Sequence, residues 1–336
     1  MVTHVFWSHS AITNAVALGI IGDRKLSRHE CIFLSVREFD APKGYKSVPL
    51  ETPQLRGNPA TGRVLKKIIR EFKRSLPLEK SYLIYLPHLW HSISKLLVRD
   101  RHCKGYYFIE EGLLSYSDDC KDTTLDHVNR QDSRPLVHLL ASLLGTGGVV
   151  RQRASVFDES HANYRGAFVW NDHVFSGLKN RVSYSGPCFT VQGQVRRRVP
   201  ILALDALVER MGFKQIYFET VYRRLLLYLC ERGHQEIQIK FHPAQDAACA
   251  SRKIFEKLNV EFPQLNFTEL PPTVCLEAWA QKQRDLEFYV LVSSVGVYAS
   301  LLGAKAFTII DWLEEKPRLK LVERMPSAFF KFLTRL

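Results

Sequence analysis

THVFWSHSAITNAVALGI, residues 3–20, sets the frame in which the rest of the chain is read. Thr3 to Trp7 is a short apolar run suited to a strand. Ser8, His9 and Ser10 make a polar turn, and from Ile12 to Ile20 the apolar residues return at helical spacing. Strand, turn and helix in that order open a parallel α/β unit, because a parallel neighbour can be reached only through a long crossover, which the helix supplies.

The alternation continues. Cys31 to Val36 and Ser81 to Leu86 read as buried strands, with an amphipathic helix from about Gly62 to Leu76 between them. Ser92 to Val98 is the next helix, and Tyr106 to Ile109 is a short strand cut off by Glu110, Glu111 and Gly112. Asp118 to Arg134 is polar and irregular and Arg151 to Asn180 is mixed, so both are expected as loops or insertions. Gly186 to Pro200 gathers turn formers and the run Arg196, Arg197, Arg198 just ahead of the apolar strand Ile201 to Leu204, which marks a boundary. The pattern then restarts, with helices at Tyr222 to Glu231, Ser251 to Leu258 and Val297 to Leu302, and strands at Glu236 to Phe241, Phe288 to Val292 and Ala306 to Ile310. The expected fold is α/β, two Rossmann-like domains over residues 1–190 and 199–320, followed by an amphipathic segment, 321–336. Open parallel sheets bind their ligands beyond the carboxyl ends of the strands, so the polar residues just past each strand are the candidates for chemistry.

Composition narrows the classes. A chain of 336 residues, 46% hydrophobic and 24% charged, can bury two ordinary cores and is not a disordered type. Its net charge of +13 favours an anionic partner: nucleic acid, an acidic membrane surface, or negatively charged sugars and nucleotides. The seven cysteines are scattered and never form a CxxC pair, which suggests neither a disulfide framework nor a zinc site and fits a reducing cytoplasm. The apolar run Ala15 to Ile21 lacks a basic segment before it, so no signal peptide is expected, and no stretch reaches the roughly 20 apolar residues of a membrane span. Any membrane contact is then peripheral.

Three short motifs end strands. Glu110 and Glu111 followed by Gly112 can present one acid to a site while the other is held by the structure, or can be two ordinary surface acids on a loop. His242, with Lys240 leading to it and Pro243 stopping the strand, can bond a phosphate or simply cap a turn. Ser293 and Ser294, with Gly296 behind them, lie between an apolar strand and a helix, where hydroxyls and free N–H groups bind anions and where a serine also serves as an N-cap. His9 and Ser10 in the first turn, and His88, Trp90 and His91 after Ser81 to Leu86, are further polar and aromatic residues at strand ends. The twelve histidines show no three-ligand metal spacing.

The order of these motifs, an acidic pair with Gly, then His-Pro, then Ser-Ser, resembles that of the bacterial sialyltransferases and polysialyltransferases, with their capsule and lipooligosaccharide relatives. The likeness covers roughly residues 105–112 and 200–305, including the run IKFHP. It implies a GT-B architecture, with an acceptor-binding first domain and a donor-binding second domain facing a central cleft. It also implies an inverting glycosyltransferase that moves a nonulosonic acid (sialic, pseudaminic or legionaminic acid) from its CMP-activated donor to a glycan or glycolipid acceptor of a surface polysaccharide or lipooligosaccharide. Carried over by position, Glu110 is the general base with Glu111 beside it, His242 contacts the donor phosphate, and Ser293 and Ser294 bind it; His9, Ser10 and His88, with His91 and with Trp90 stacking on a sugar ring, would then line the acceptor side. In one branch a glutamate ahead of the serine pair holds the ribose hydroxyls; Glu277 stands near that place and reads equally as an exposed charge on the helix Val274 to Ala280.

The chemistry fits those residue types. A CMP-sugar leaves through a single phosphodiester, so a histidine and serine donors can stabilise the departing group without a metal, and no DxD motif is present. No cofactor is implied. One base and one displacement give inversion. A GT-B enzyme using a UDP-sugar, a GDP-sugar or CMP-Kdo fits the same motifs. A basic nucleic-acid-binding protein would explain the charge but not the positions of the strand-end residues, so no nucleic acid is expected. The basic, amphipathic helix Thr61 to Leu76 reads as a membrane-surface helix or as a domain helix with a solvated face. The aromatic segment Ser327 to Leu336 either dips into a membrane or packs on the first domain. Together these features suggest a cytoplasmic protein that works at the inner face of an anionic membrane.

Overall fold

The computed structural model describes residues 2–36, 39–50, 67, 70–72, 74, 81–89, 91–117, 156–190, 198–246 and 248–336. It divides into two compact units, Met1–Phe189 and Thr190–Leu336.

The first unit holds a sheet of seven strands, β1 (Thr3–Ser8), β2 (Cys31–Ser35), β3 (Lys46–Pro49), β4 (Tyr82–Leu86), β5 (Cys103–Phe108), β6 (Tyr164–Val169) and β7 (Arg181–Ser183), all parallel, in the order β3-β2-β1-β4-β5-β6-β7. Between strands run α1 (Ala11–Asp23) and α2 (Ser92–Val98). Strand order reverses between β1 and β4, the switch point at which such sheets open a crevice. The sheet is buried on both faces, so its central strands are apolar throughout: Val5, Phe6, Ile84, Tyr85 and Phe108 are each fully buried. Phe6 stacks on Tyr85 with ring centroids 4.3 Å apart, tying β1 to β4.

The second unit repeats the plan. Its strands are β8 (Ile201–Ala203), β9 (Glu236–Lys240), β10 (Asn266–Glu269), β11 (Glu287–Val290), β12 (Lys305–Thr308) and β13 (Thr334–Arg335), parallel in the order β10-β9-β8-β11-β12-β13. Helices α3 (Leu207–Met211), α4 (Gln215–Glu231), α5 (Ala250–Glu261), α6 (Leu276–Lys282), α7 (Ser294–Leu301), α8 (Glu315–Val322) and α9 (Ser327–Phe332) connect them. The switch point here lies between β8 and β11. Two doubly wound, Rossmann-like units in one chain are the expected α/β class.

Two expectations change, and a third narrows to one of its alternatives. Arg151 to Asn180 is not all loop: Tyr164–Val169 is a strand inside the sheet, with Tyr164 buried against Tyr106 and Phe108 and Phe168 against Tyr85 and Tyr107. The final segment packs on its own unit, with Phe329 fully buried and β13 added beside β12, where Arg335 pairs with Asp311. Ala328, Phe329 and Leu333 are thereby spent on the core of the second unit. Most of the helix expected over residues 61–76 lies outside the described residues, but Phe72 is buried edge-on against Tyr82 of β4 while Lys67, Arg70, Glu71 and Arg74 are exposed. That is the burial of a domain helix with a solvated face. No helix among the described residues is long and apolar enough to cross a membrane.

Candidate active site

In the first unit three strand ends bring three side chains together. His9 follows β1, His88 follows β4 and Glu111 follows β5, so the group straddles the switch point. Nε2 of His9 is hydrogen-bonded to Oε1 of Glu111, and Nε2 of His88 lies 3.1 Å from its Oε2. The two imidazoles are buried, at 3% and 4% exposure, while the Glu111 side chain keeps 24%. Burial acts to raise the Glu111 carboxyl, but the hydrogen bonds from His88 and His9 outweigh it and hold the group well below the usual carboxylate range. The result is a fixed, ionised carboxylate on a part-exposed side chain.

Glu110, one residue earlier, points the other way, as alternation along an extended chain requires. It is fully buried, beside Tyr116 and Tyr184, whose hydroxyls are pushed well up by burial and then by the Glu110 charge. One acid is thus held in the fold and the other stands at the sheet edge. Gly112 turns the chain directly after the pair, at φ 153° and ψ −154°, a conformation that favours glycine. The Glu111 N–H donates to Ser115 Oγ at 3.1 Å, which fixes the turn. Ser10 is taken up by the fold: it caps α1 in a reciprocal box with Thr13. Trp90 lies outside the described residues.

The second unit assembles its own edge. His242, just past β9, accepts the Ala244 N–H on Nδ1 at 3.0 Å, which leaves the ring proton on Nε2. Burial, and then the charge of Arg210, push the His242 pKa down, so the ring is neutral and an Nε2 donor at working pH. Gln245 joins its turn to the next strand end, accepting the His242 N–H at 2.7 Å and donating to the Asp205 carbonyl at 3.1 Å. Asp205, at the end of β8, in turn accepts the Val292 N–H on Oδ2 at 3.0 Å. It is a half-buried acid whose pKa is pushed up to about 7 by desolvation of its carboxyl, against the pull of hydrogen bonds from Val292 and Leu291. The strand ends of β8, β9 and β11 are thereby linked.

Ser293 and Ser294 follow directly and are half-buried, Ser293 capping α7 through a bond from the Val295 N–H. Gly296 serves packing: a Cβ there would lie 2.7 Å from Leu333 and 2.8 Å from Val290, so its absence seats α7 against β11 and the final segment. Lys240 spends its ammonium on the Pro271 carbonyl at 2.7 Å. Glu277 is not an exposed helix charge but is buried in the first turn of α6, where burial raises its pKa and Cys275 Sγ lies 3.3 Å from its Oε2.

Two features were not legible beforehand. Asp205 is a lone acid after an apolar strand, and its link to the serine turn exists only once β8 and β11 pair. The His9, His88 and Glu111 cluster is scattered over more than a hundred residues of sequence, so no local spacing could have shown it.

No protein-family model matches the chain, and no curated protein matches it. Among solved structures it is similar to UDP-GlcNAc 2-epimerase from Neisseria meningitidis bound to UDP-GlcNAc, at TM-score 0.49 and 10% identity over 100% of this chain and 95% of that one. It is also similar to the glycotransferase of kitacinnamycin, at TM-score 0.48 and 11% identity over 100% and 86%. A third is the Methanocaldococcus jannaschii UDP-GlcNAc 2-epimerase, at TM-score 0.47 and 13% identity over 100% and 94%. Likeness at this level carries no argument about chemistry, and the fold rests on the strand order itself.

Proposed function

We propose that the chain is an inverting glycosyltransferase that moves a nonulosonic acid from CMP to a hydroxyl of a glycan or glycolipid acceptor. The observation that carries this reading is that each of its three motifs stands at the carboxyl edge of a Rossmann-ordered parallel sheet, where open sheets bind ligands. The second unit supplies the donor contacts. Neutral His242 offers Nε2–H to a phosphate oxygen, and Ser293 and Ser294 add hydroxyls at the start of α7, so the departing monophosphate is stabilised by hydrogen bonds and needs no metal. Buried Glu277 is the candidate to hold the ribose hydroxyls.

The first unit supplies the base. Glu111, rather than the buried Glu110, is the acid that can meet an acceptor hydroxyl, and its two imidazole partners fix its direction. The carboxylate takes the acceptor proton as the new bond forms at the anomeric carbon and the CMP oxygen leaves from the opposite face, which inverts the centre. A sugar bearing its own carboxylate suits a chain of net charge +13. An acceptor built into a surface polysaccharide or lipooligosaccharide would place the enzyme at an anionic membrane.

Thermal unfolding with CMP, UMP, UDP and GDP tests the donor assignment. Saturation a hundredfold above Kd stabilises by about 2.7 kcal/mol, and CMP is expected to give the largest shift, followed by product formation from CMP-sugars. A larger shift with UDP or GDP overturns the CMP assignment in favour of a diphosphate donor.

A further inference from the structure

The edge of the first unit carries more than a base and its supports. Nε2 of His9, Nε2 of His88 and the Glu111 carboxylate turn toward a common point, with the atoms they offer all within 4.8 Å of one another. We propose that His9, His88 and Glu111 form a binding site for a divalent transition cation of the zinc class, and that a bound cation withdraws Glu111 from proton transfer.

The donor set chooses the ion. Two imidazole nitrogens and one carboxylate oxygen are ligands for zinc and its neighbours, whereas magnesium and calcium prefer oxygen alone. The frame is rigid, since the ligands follow three adjacent parallel strands, β1, β4 and β5, whose pairing is continuous across the sheet. Both histidines are buried, so the ion would enter past the part-exposed Glu111, and solvent could fill the remaining coordination position. The outer shell is incomplete: His9 Nδ1 is buried with no hydrogen-bond partner among the described residues. Tight centres anchor that second ring nitrogen, and losing such an anchor costs about 10- to 100-fold in affinity. The site is therefore one that exchanges its cation. A carboxylate engaged by a metal has lost the lone pair that would accept a proton, so occupancy stops transfer; this half of the inference rests on the function proposed above.

The test is calorimetric titration of the metal-free, full-length protein with Zn²⁺, with Co²⁺ absorption as a second readout. One equivalent per chain is expected, with at least tenfold weaker binding in Glu111→Gln and in His88→Gln, no change in His102→Gln, and no heat from Mg²⁺. Circular dichroism and thermal unfolding of the metal-free variants establish that they are folded. Absence of one-equivalent binding, or wild-type affinity in folded Glu111→Gln and His88→Gln, overturns the site. Zn²⁺ is expected to lower turnover and EDTA to restore it; turnover that rises with Zn²⁺ overturns the inhibitory role. CMP stabilisation reads the second unit, so a missing zinc site with an intact CMP shift rejects this inference alone. A missing CMP shift with an intact zinc site rejects the proposed function alone.

Discussion

Replacing Glu111 with Gln keeps the size of the side chain at the sheet edge but removes its ability to take a proton. Turnover should fall by roughly 10²- to 10⁴-fold, the usual worth of a general base, while CMP still stabilises the protein as before. His242→Ala should do the reverse at the donor: the CMP shift is lost together with turnover, because the Nε2–H bond to phosphate is made in the ground state as well as in the transition state. Kinetics combined with thermal shifts separate the two. If Glu110→Gln rather than Glu111→Gln removes turnover in a protein of unchanged stability, the base is the buried acid and the assignment made from exposure is wrong. The sequence made a pair of acids visible but not which of them faces out. That depends on where the strand ends and on the turn at Gly112, a matter of one residue of register.

At the scale of elements, Asp205 is the pin of the second unit's edge, joining β8 to the turn that carries the two serines. Its folded pKa of about 7 lies above the ordinary aspartate value, so between pH 4 and 7 the folded chain holds a proton that the unfolded chain has released. Its contribution to stability is then greatest at the acid end and falls as pH rises through that window, by an amount on the order of 2–4 kcal/mol at about 1.4 kcal/mol per unit. Tyr222 faces the same acid and is itself pushed well up, by burial first and then by Asp205, so it stays neutral throughout the window. Chemical denaturation of wild type and Asp205→Asn from pH 4 to pH 8 checks this: the wild-type curve should lose stability relative to the variant as pH rises, and parallel curves would remove Asp205 as the source. Most of the expected strands and helices lie within a few residues of their places in the sequence reading, but α4 begins at Gln215, seven residues ahead of the expected Tyr222. Tyr164–Val169 escaped because its six residues include Gly166 and Arg165, which blur the apolar signal until Tyr106 and Phe108 are placed alongside.

At the scale of the whole molecule, a net charge of +13 is the feature that would draw the chain to an anionic membrane, now that the aromatic segment at the end of the chain is absorbed by α9 and β13. Attraction by surface charge alone is screened over about 10 Å at 0.1 M salt and about 3 Å at 1 M. Sedimentation with phosphatidylserine vesicles should therefore retain the protein at low salt and release it at about 0.5 M salt; retention at high salt would mean that apolar side chains insert after all. By itself the sequence determined the α/β class, the division into two units near residue 190 and the strand-end location of every motif, because hydrophobic period, turn chemistry and charge are local properties. Only the tertiary structure decided the two strand orders, which share one plan over six strands, the burial of Glu110 and Glu277, the pinning of the serine turn by Asp205 and the meeting of His9, His88 and Glu111. Each of these depends on which strands lie side by side, and in a parallel sheet neighbours are joined by long crossovers, so residues far apart in sequence share one edge without leaving a local trace.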